Sequence, residues 1–160
     1  RTPYNKINIH IGGAYGDKES AMKRFCENFE LLPDSVKSRL TVENDDRASM
    51  YSVKDLYYGV YKRIGIPIVF DYHHHRFCTG GLSEEDALEV AISTWGDVVP
   101  VVHYSESRNI EQEDDKIRPQ AHSDYVYDYI DTYGNRVDIM VEAKAKELAV
   151  LKYKEIHEIV

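Results

Sequence analysis

The stretch IPIVFDYHHH, residues 66–75, begins as a buried strand and ends on an acid and three histidines. Ile66, Ile68, Val69 and Phe70 make the short, β-branched and aromatic run expected of a strand in a sheet covered by helices. Asp71 closes it, and Tyr72, His73, His74 and His75 follow at once. Side chains of an extended strand alternate faces, so Asp71 would share its side with His73 and His75. Only a chain that leaves strand geometry straight after Asp71 brings His74 round to the same point.

Working outward, similar runs recur about every 30 residues, the length of a βαβ unit. They are KINIH (6–10), RLTVE (39–43), IPIVFD (66–71), DVVPVVH (97–103) and RVDIMVE (136–142). Helical patterns separate them. DKESAMKRFCENFELL (17–32) carries Met22, Phe25, Phe29 and Leu32 at helical spacing behind a capping Asp17. SVKDLYYGVYKRIG (52–65) runs from a Ser52 cap to a Gly65 terminator, and SEEDALEVAISTWG (83–96) opens on Ser83 with Asp86 three residues on. HSDYVYDYI (122–130) puts His122 near a predicted helix start, and AKAKELAVLKYKEIHEIV (143–160) is a strong helix carrying His157 away from the strand ends. SESRNIEQEDDKIR (105–118) predicts a solvated loop. Strands that each return through a helix define an α/β class with a parallel sheet and helices outside. No low-complexity linker divides the chain, so residues 1–160 are read as a single domain.

A 42% hydrophobic, 30% charged composition is that of a globular protein. No apolar run approaches the roughly 20 residues of a membrane span, and RTPYNKINIH has no signal core, which argues against membrane insertion and secretion. Cys26 and Cys78 lack metal-type spacing and read as reduced, packed thiols. The formal charge of −8 argues against a nucleic-acid partner unless many acids are ligating cations.

The residues that close the apolar runs are His10, Glu43, Asp71, His103 and Glu142. In a parallel barrel or doubly wound sheet, the C-terminal strand ends converge on one face. Carboxylates and imidazoles gathered there need cations to neutralise them, so a polynuclear metal site follows. Nitrogen and oxygen ligands without cysteine suit manganese, zinc or iron better than calcium. A metal-dependent sugar isomerase and a non-catalytic remnant that binds metal or DNA are alternatives with the same strand-end chemistry.

HIGGAYGDKE (10–19), VENDD (42–46), IPIVFDYHHH (66–75), VVHYS (101–105), AHSDY (121–125) and MVEAKAKELA (140–149) stand in an order that resembles the UV damage endonuclease family of DNA repair enzymes. The resemblance implies a TIM-type (β/α) barrel, of which this chain supplies about five units as a C-terminal portion. The strands expected before His10 are absent from it, and its first residue is Arg rather than Met. It further implies a multinuclear cluster of divalent ions, manganese first, with zinc or magnesium as alternatives. UV-damaged double-stranded DNA would be the substrate, nicked 5′ to the photoproduct, in the cytoplasm at the nucleoid or in a nucleus, with no obligate protein partner beyond the missing N-terminal part.

Carried over motif by motif, the implied metal ligands are His10, Glu43, Asp71, His74, His103, His122 and Glu142, with Glu43, Asp71 and Glu142 catalytic. The position two residues before the histidine of the fourth motif, often lysine in the family, is Val101 here. Arg47, Arg76, Lys144 and Lys146 are the basic residues nearest these motifs and are read as DNA contacts, with Arg108 a weaker candidate. His75 and Asp124 are expected to support the ligands, His75 alternatively facing DNA, and His73 is read as structural. Tyr15, Tyr72 and Tyr104 would either stack on bases or pack against the strand ends.

Overall fold

A computed structural model of the chain describes residues 5–159. Its five strands form one sheet in sequence order: β1 (Ile7–Ile9), β2 (Leu40–Glu43), β3 (Ile68–Asp71), β4 (Val101–Tyr104) and β5 (Asp138–Val141). Every neighbouring pair is parallel. The sheet curls as a half-barrel with helices on its outer side, as the strand-and-helix rhythm of the sequence requires.

The helices are α1 (Lys18–Glu30), α2 (Asp34–Lys37), α3 (Val53–Leu56), α4 (Lys62–Ile64), α5 (Tyr72–His75), α6 (Glu84–Ile92), α7 (Arg108–Glu111) and α8 (Glu147–Ile156). Capping follows the sequence closely. Asp17 accepts from the Ser20 N–H at 3.0 Å, Ser52 and Asp55 form a reciprocal capping box, and Ser83 Oγ accepts from the Asp86 N–H at 3.1 Å. Gly65, at φ 69°, ends α4 in the left-handed conformation glycine adopts without steric cost.

Between α3 and α4 the helix widens into a π-helical turn, Tyr57–Tyr61. Its centre is Gly59, where a Cβ would come within 2.3 Å of Met22 Sδ on α1. Hydrogen there lets α1 press onto the turn, and Cys26 donates its thiol to the Gly59 carbonyl at 3.6 Å.

The core lies between sheet and helices. Val42, Ile68, Phe70, Val102 and Tyr104 point outward from the strands and are essentially buried against Met22, Leu56, Val60, Ala87 and Leu88. Burying each large side chain contributes about 1.5–3 kcal/mol. Alternate residues Thr41, Glu43, Val69, Asp71 and His103 face the concave side, which keeps polar groups toward the barrel axis. The open edge shows at β5, where Met140 is 54% exposed.

Several expectations are corrected. HSDYVYDYI forms no helix: the Asp124 and Tyr125 N–H groups donate to Glu111 at 2.7 and 2.9 Å. Those of Tyr127 and Asp128 donate to Glu106, both at 2.8 Å. Carboxylates take the donors that a helix would have used, so Ser105–Arg118 is a docking platform rather than a solvated loop. The last helix starts at Glu147, not Ala143, because Lys146 sits at φ 54°; Val160, its expected end, lies outside the described residues. Strand β4 starts at Val101, the backbone N–H that the preceding Pro100 lacks being one reason 97–100 cannot extend it. Cys26 and Cys78 are unpaired and buried, as expected. Among the described residues no helix is long and apolar enough to cross a membrane.

Candidate metal centre

Strand register assembles the centre. Glu43 pairs with Val69, so its nearest same-face neighbour further along β3 is Asp71. Asp71 lies directly opposite His103, and His103 opposite Met140, two residues before Glu142. His10 follows Ile9, the partner of Val42, and so stands beside Glu43.

The side chains meet as that register predicts. Glu43 Oε1 lies 3.3 Å from His103 Nδ1 and 3.4 Å from His74 Nδ1, while Glu43 Oε2 is 3.6 Å from His10 Nε2. His103 Nδ1 is also 3.3 Å from Glu142 Oε1, and His122 Nδ1 is 3.8 Å from Glu142 Oε2. Two groups, His10–Glu43–His74 and Glu43–Asp71–His103, each bring ligand atoms within 4.8 Å of one another, with Glu43 common to both.

Asp71 caps α5, accepting from the His74 N–H at 2.8 Å. The chain therefore turns from strand to helix in one residue and swings His74 back to 3.8 Å from Asp71 Oδ2. That turn divides the histidine run. His73 is buried between the rings of Phe77 and His122, centroids 5.2 and 5.8 Å away. His75 is buried against Phe70 at 5.4 Å rather than exposed at the surface.

Three polar residues missed in the sequence hold these side chains in place. Asn44 donates to the Asp71 carbonyl and accepts from the Asp71 N–H, at 3.0 and 2.8 Å. Asn8 donates its amide to Glu43 Oε2. His10 Nδ1 donates to Asp45 Oδ1 at 2.9 Å, which leaves Nε2 as its lone-pair nitrogen. His74 Nδ1 lies 2.8 Å from the Asn44 carbonyl, an acceptor only, so Nε2 is likewise left with the lone pair. Two of the three, Asn44 and Asp45, directly follow Glu43 in VENDD.

Electrostatics follow from burial. Burial raises the Glu43 carboxyl, but the hydrogen bond and charge of His103 and the charge of His74 overcome it and bring it down to about 2. Burial pushes the Asp71 carboxyl up to about 7, opposed by His74 and reinforced by the Glu43 charge. Asp45 raises the His10 imidazole; in His103 burial is outweighed by Glu43 and Glu142, and the net shift is also upward. His122 is lowered, mainly by burial. Asp71 Oδ2 is buried without a hydrogen-bond partner, 3.8 Å from His74 Nδ1, and His103 Nδ1 is buried with its nearest acceptors, Glu43 Oε1 and Glu142 Oε1, both at 3.3 Å. Buried carboxylates and imidazoles that converge in this way are a donor set that suits a divalent cation.

The other expected residues divide. Arg47, Arg76, Lys144 and Lys146 are exposed, and Lys144 borders a recess with Gln120, His122 and Glu142. Asp124 turns away from His122 to Arg108, at 3.1 Å. Tyr72 and Tyr104 pack edge to face in the core, centroids 5.4 Å apart, and are not available to bases. Tyr15 is 89% exposed. His157 packs on Tyr153 at 4.5 Å, a structural position.

Curled parallel strands with this cluster at their C-terminal mouth define a TIM-type β/α-barrel protein with a carboxylate–imidazole centre. The chain belongs to the UV-endonuclease UvdE family, whose sequence model matches residues 1–159. It is 38% identical over 165 residues to the UV DNA damage endonuclease of Bacillus cereus (strain Q1), covering 96% of this chain and 48% of the relative. To that of Bacillus pumilus (strain SAFR-032) it is 39% identical over 160 residues, covering 93% and 47%. The crystal structure of SacUVDE superposes with a TM-score of 0.79 at 35% identity, over 96% of this chain and 51% of that one. The chain thus spans about half the length of the relatives it matches.

Proposed function

We propose that this chain forms the metal-binding portion of a divalent-metal-dependent endonuclease that nicks duplex DNA on the 5′ side of UV photoproducts. The observation that carries the reading is Glu43, one buried carboxylate common to two ligand groups on neighbouring strands. A shared carboxylate suits two adjacent cations, and phosphodiester hydrolysis is the chemistry two such ions serve.

In this proposal His10, Glu43, Asp71, His74, His103, His122 and Glu142 would hold the ions, with Glu43 common to both groups. When bound, the ions supply an activated water at neutral pH and charge relief at the phosphodiester oxygens. The chain's own residues do the rest: Asn44 fixes the Asp71 backbone, Asp45 fixes the His10 ring, and Asn8 orients Glu43. Arg47, Arg76, Lys144 and Lys146 hold the DNA backbone around the mouth. Manganese is the expected ion, with zinc and magnesium as substitutes.

Nicking of UV-irradiated and unirradiated duplex, in manganese, zinc, magnesium or EDTA, tests the proposal. Irradiation-dependent, EDTA-sensitive nicking 5′ to the lesion is expected. Equal treatment of both duplexes, or nicking that persists in EDTA, overturns it.

A further inference from the structure

A cleft of about 830 Å³, within the size range of ligand-binding clefts, reaches Arg76 at the end of α5. It is bounded by the start of α1, by α3 with the π-helical turn, and by the loop after α5. The cations around it are Lys18, Lys54, Arg63 and Arg76, and the acids are Glu19 and Asp55. Lys18 already neutralises Asp55 at 3.1 Å. Among the described residues no carboxylate is within ion-pair distance of Lys54, Arg63 or Arg76. A chain of net charge −8 has placed a surplus of free positive charge at one cleft.

The walls are built rather than incidental. Gly80, at φ +60°, packs so closely on Ser52 that a Cβ would lie 2.4 Å from its hydroxyl oxygen, tying the loop to the cap of α3. The floor is the π-helical turn, held by the contact of Gly59 with Met22. From that turn Tyr58 projects into the cleft, 64% exposed. Tyr57 packs against it at right angles, with centroids 5.2 Å apart at 89°, and the rest of the Tyr58 ring is open to the cleft. Unpaired cations spaced along a groove with an open aromatic ring are what a nucleic-acid strand requires, phosphates on the cations and a base on the ring. Arg76 ends α5, the helix that carries His74, so the cleft adjoins the centre through one side chain.

We infer that this cleft is a second DNA subsite, which grips the phosphates of a strand segment beside the cleavage point through Lys54 and Arg63 and stacks one of its bases on Tyr58. The inference rests on the nuclease reading above. Binding of a fluorescein-labelled, UV-irradiated duplex to the manganese-loaded protein, followed by anisotropy across a salt series, tests it. In a Lys54→Gln/Arg63→Gln variant, affinity falls about tenfold, and the salt slope shrinks by about 1.4–1.8, two phosphate contacts' worth. Tyr58→Ala lowers affinity about fivefold or more without changing the slope, and Tyr58→Phe restores it. All three side chains are exposed, so circular dichroism and metal content stay as in the unaltered protein. Unchanged affinity and slope in the double variant overturn the subsite and leave the nuclease reading standing. Failure of the unaltered protein to bind DNA overturns that reading, and the subsite with it.

Discussion

The Asn44 side chain replaces a strand. Its amide donates to the Asp71 carbonyl at 3.0 Å and accepts from the Asp71 N–H at 2.8 Å, continuing the β2–β3 pairing one residue beyond Glu43. Both residues are fully buried, so truncation leaves two backbone groups without partners. Each costs about 1–3 kcal/mol. Asn44→Ala is therefore expected to lower the thermal midpoint and, by freeing Asp71, to weaken divalent-metal affinity about 10- to 100-fold. Unfolding and metal titrations of the same variant check both; normal metal affinity would remove Asn44 from the site.

Glu43 and Glu142 are both acids at strand ends, yet they have different work. Glu43 belongs to both candidate groups, whereas among the described residues Glu142 pairs with His103 and His122 and is 33% exposed at its side chain. Glu43→Gln is expected to empty the centre, and Glu142→Gln to lose the ion nearest His122 while retaining metal elsewhere. Under the proposed function both substitutions are expected to abolish nicking, so metal content per chain, by native mass spectrometry, is the discriminating measurement. Equal metal loss in the two variants contradicts the shared role of Glu43.

Metal uptake should release protons. Burial and the neighbouring Glu43 charge raise Asp71 to about 7, and the imidazoles of His10 and His103 are raised as well, so near neutrality the metal-free site holds protons that a cation must displace. Affinity then climbs as pH rises through about 7 and levels off above it. Calorimetric titration of manganese in buffers of different ionisation enthalpy counts these protons. A binding heat independent of buffer contradicts the assignment.

The parallel class was legible because Val, Ile and Phe runs ended on polar residues at a βαβ spacing, and the convergence of the strand-end acids and histidines was legible for the same reason. His74 needed more, since an extended chain would have aimed His73 and His75 at the site; the cap that Asp71 makes to its N–H decides the matter. Asn8, Asn44 and Asp45 were not legible, because their roles depend on which strand lies alongside. HSDYVYDYI misled in another way. Its helical pattern is overridden by Glu106 and Glu111, remote in sequence, which take the backbone donors.

His73 gives the fold an acid-sensitive point apart from the ligands' own chemistry. Both of its ring nitrogens are buried without hydrogen-bond partners. Burial, aided by the neighbouring His122 and Arg76, lowers its pKa from 6.5 to about 4. Between those values the unfolded chain binds the proton and the folded chain does not, so stability is full above 6.5 and is lost as pH falls toward 4. At about 1.4 kcal/mol per pH unit the loss is roughly 3 kcal/mol. His73→Leu, close in volume, is expected to leave stability at pH 7 unchanged or higher and to flatten the acid limb of the unfolding profile in EDTA. His75, which burial also lowers, supplies part of the slope that remains. An acid limb as steep in the variant as in the unaltered protein would show that the proton taken up on unfolding belongs to another group.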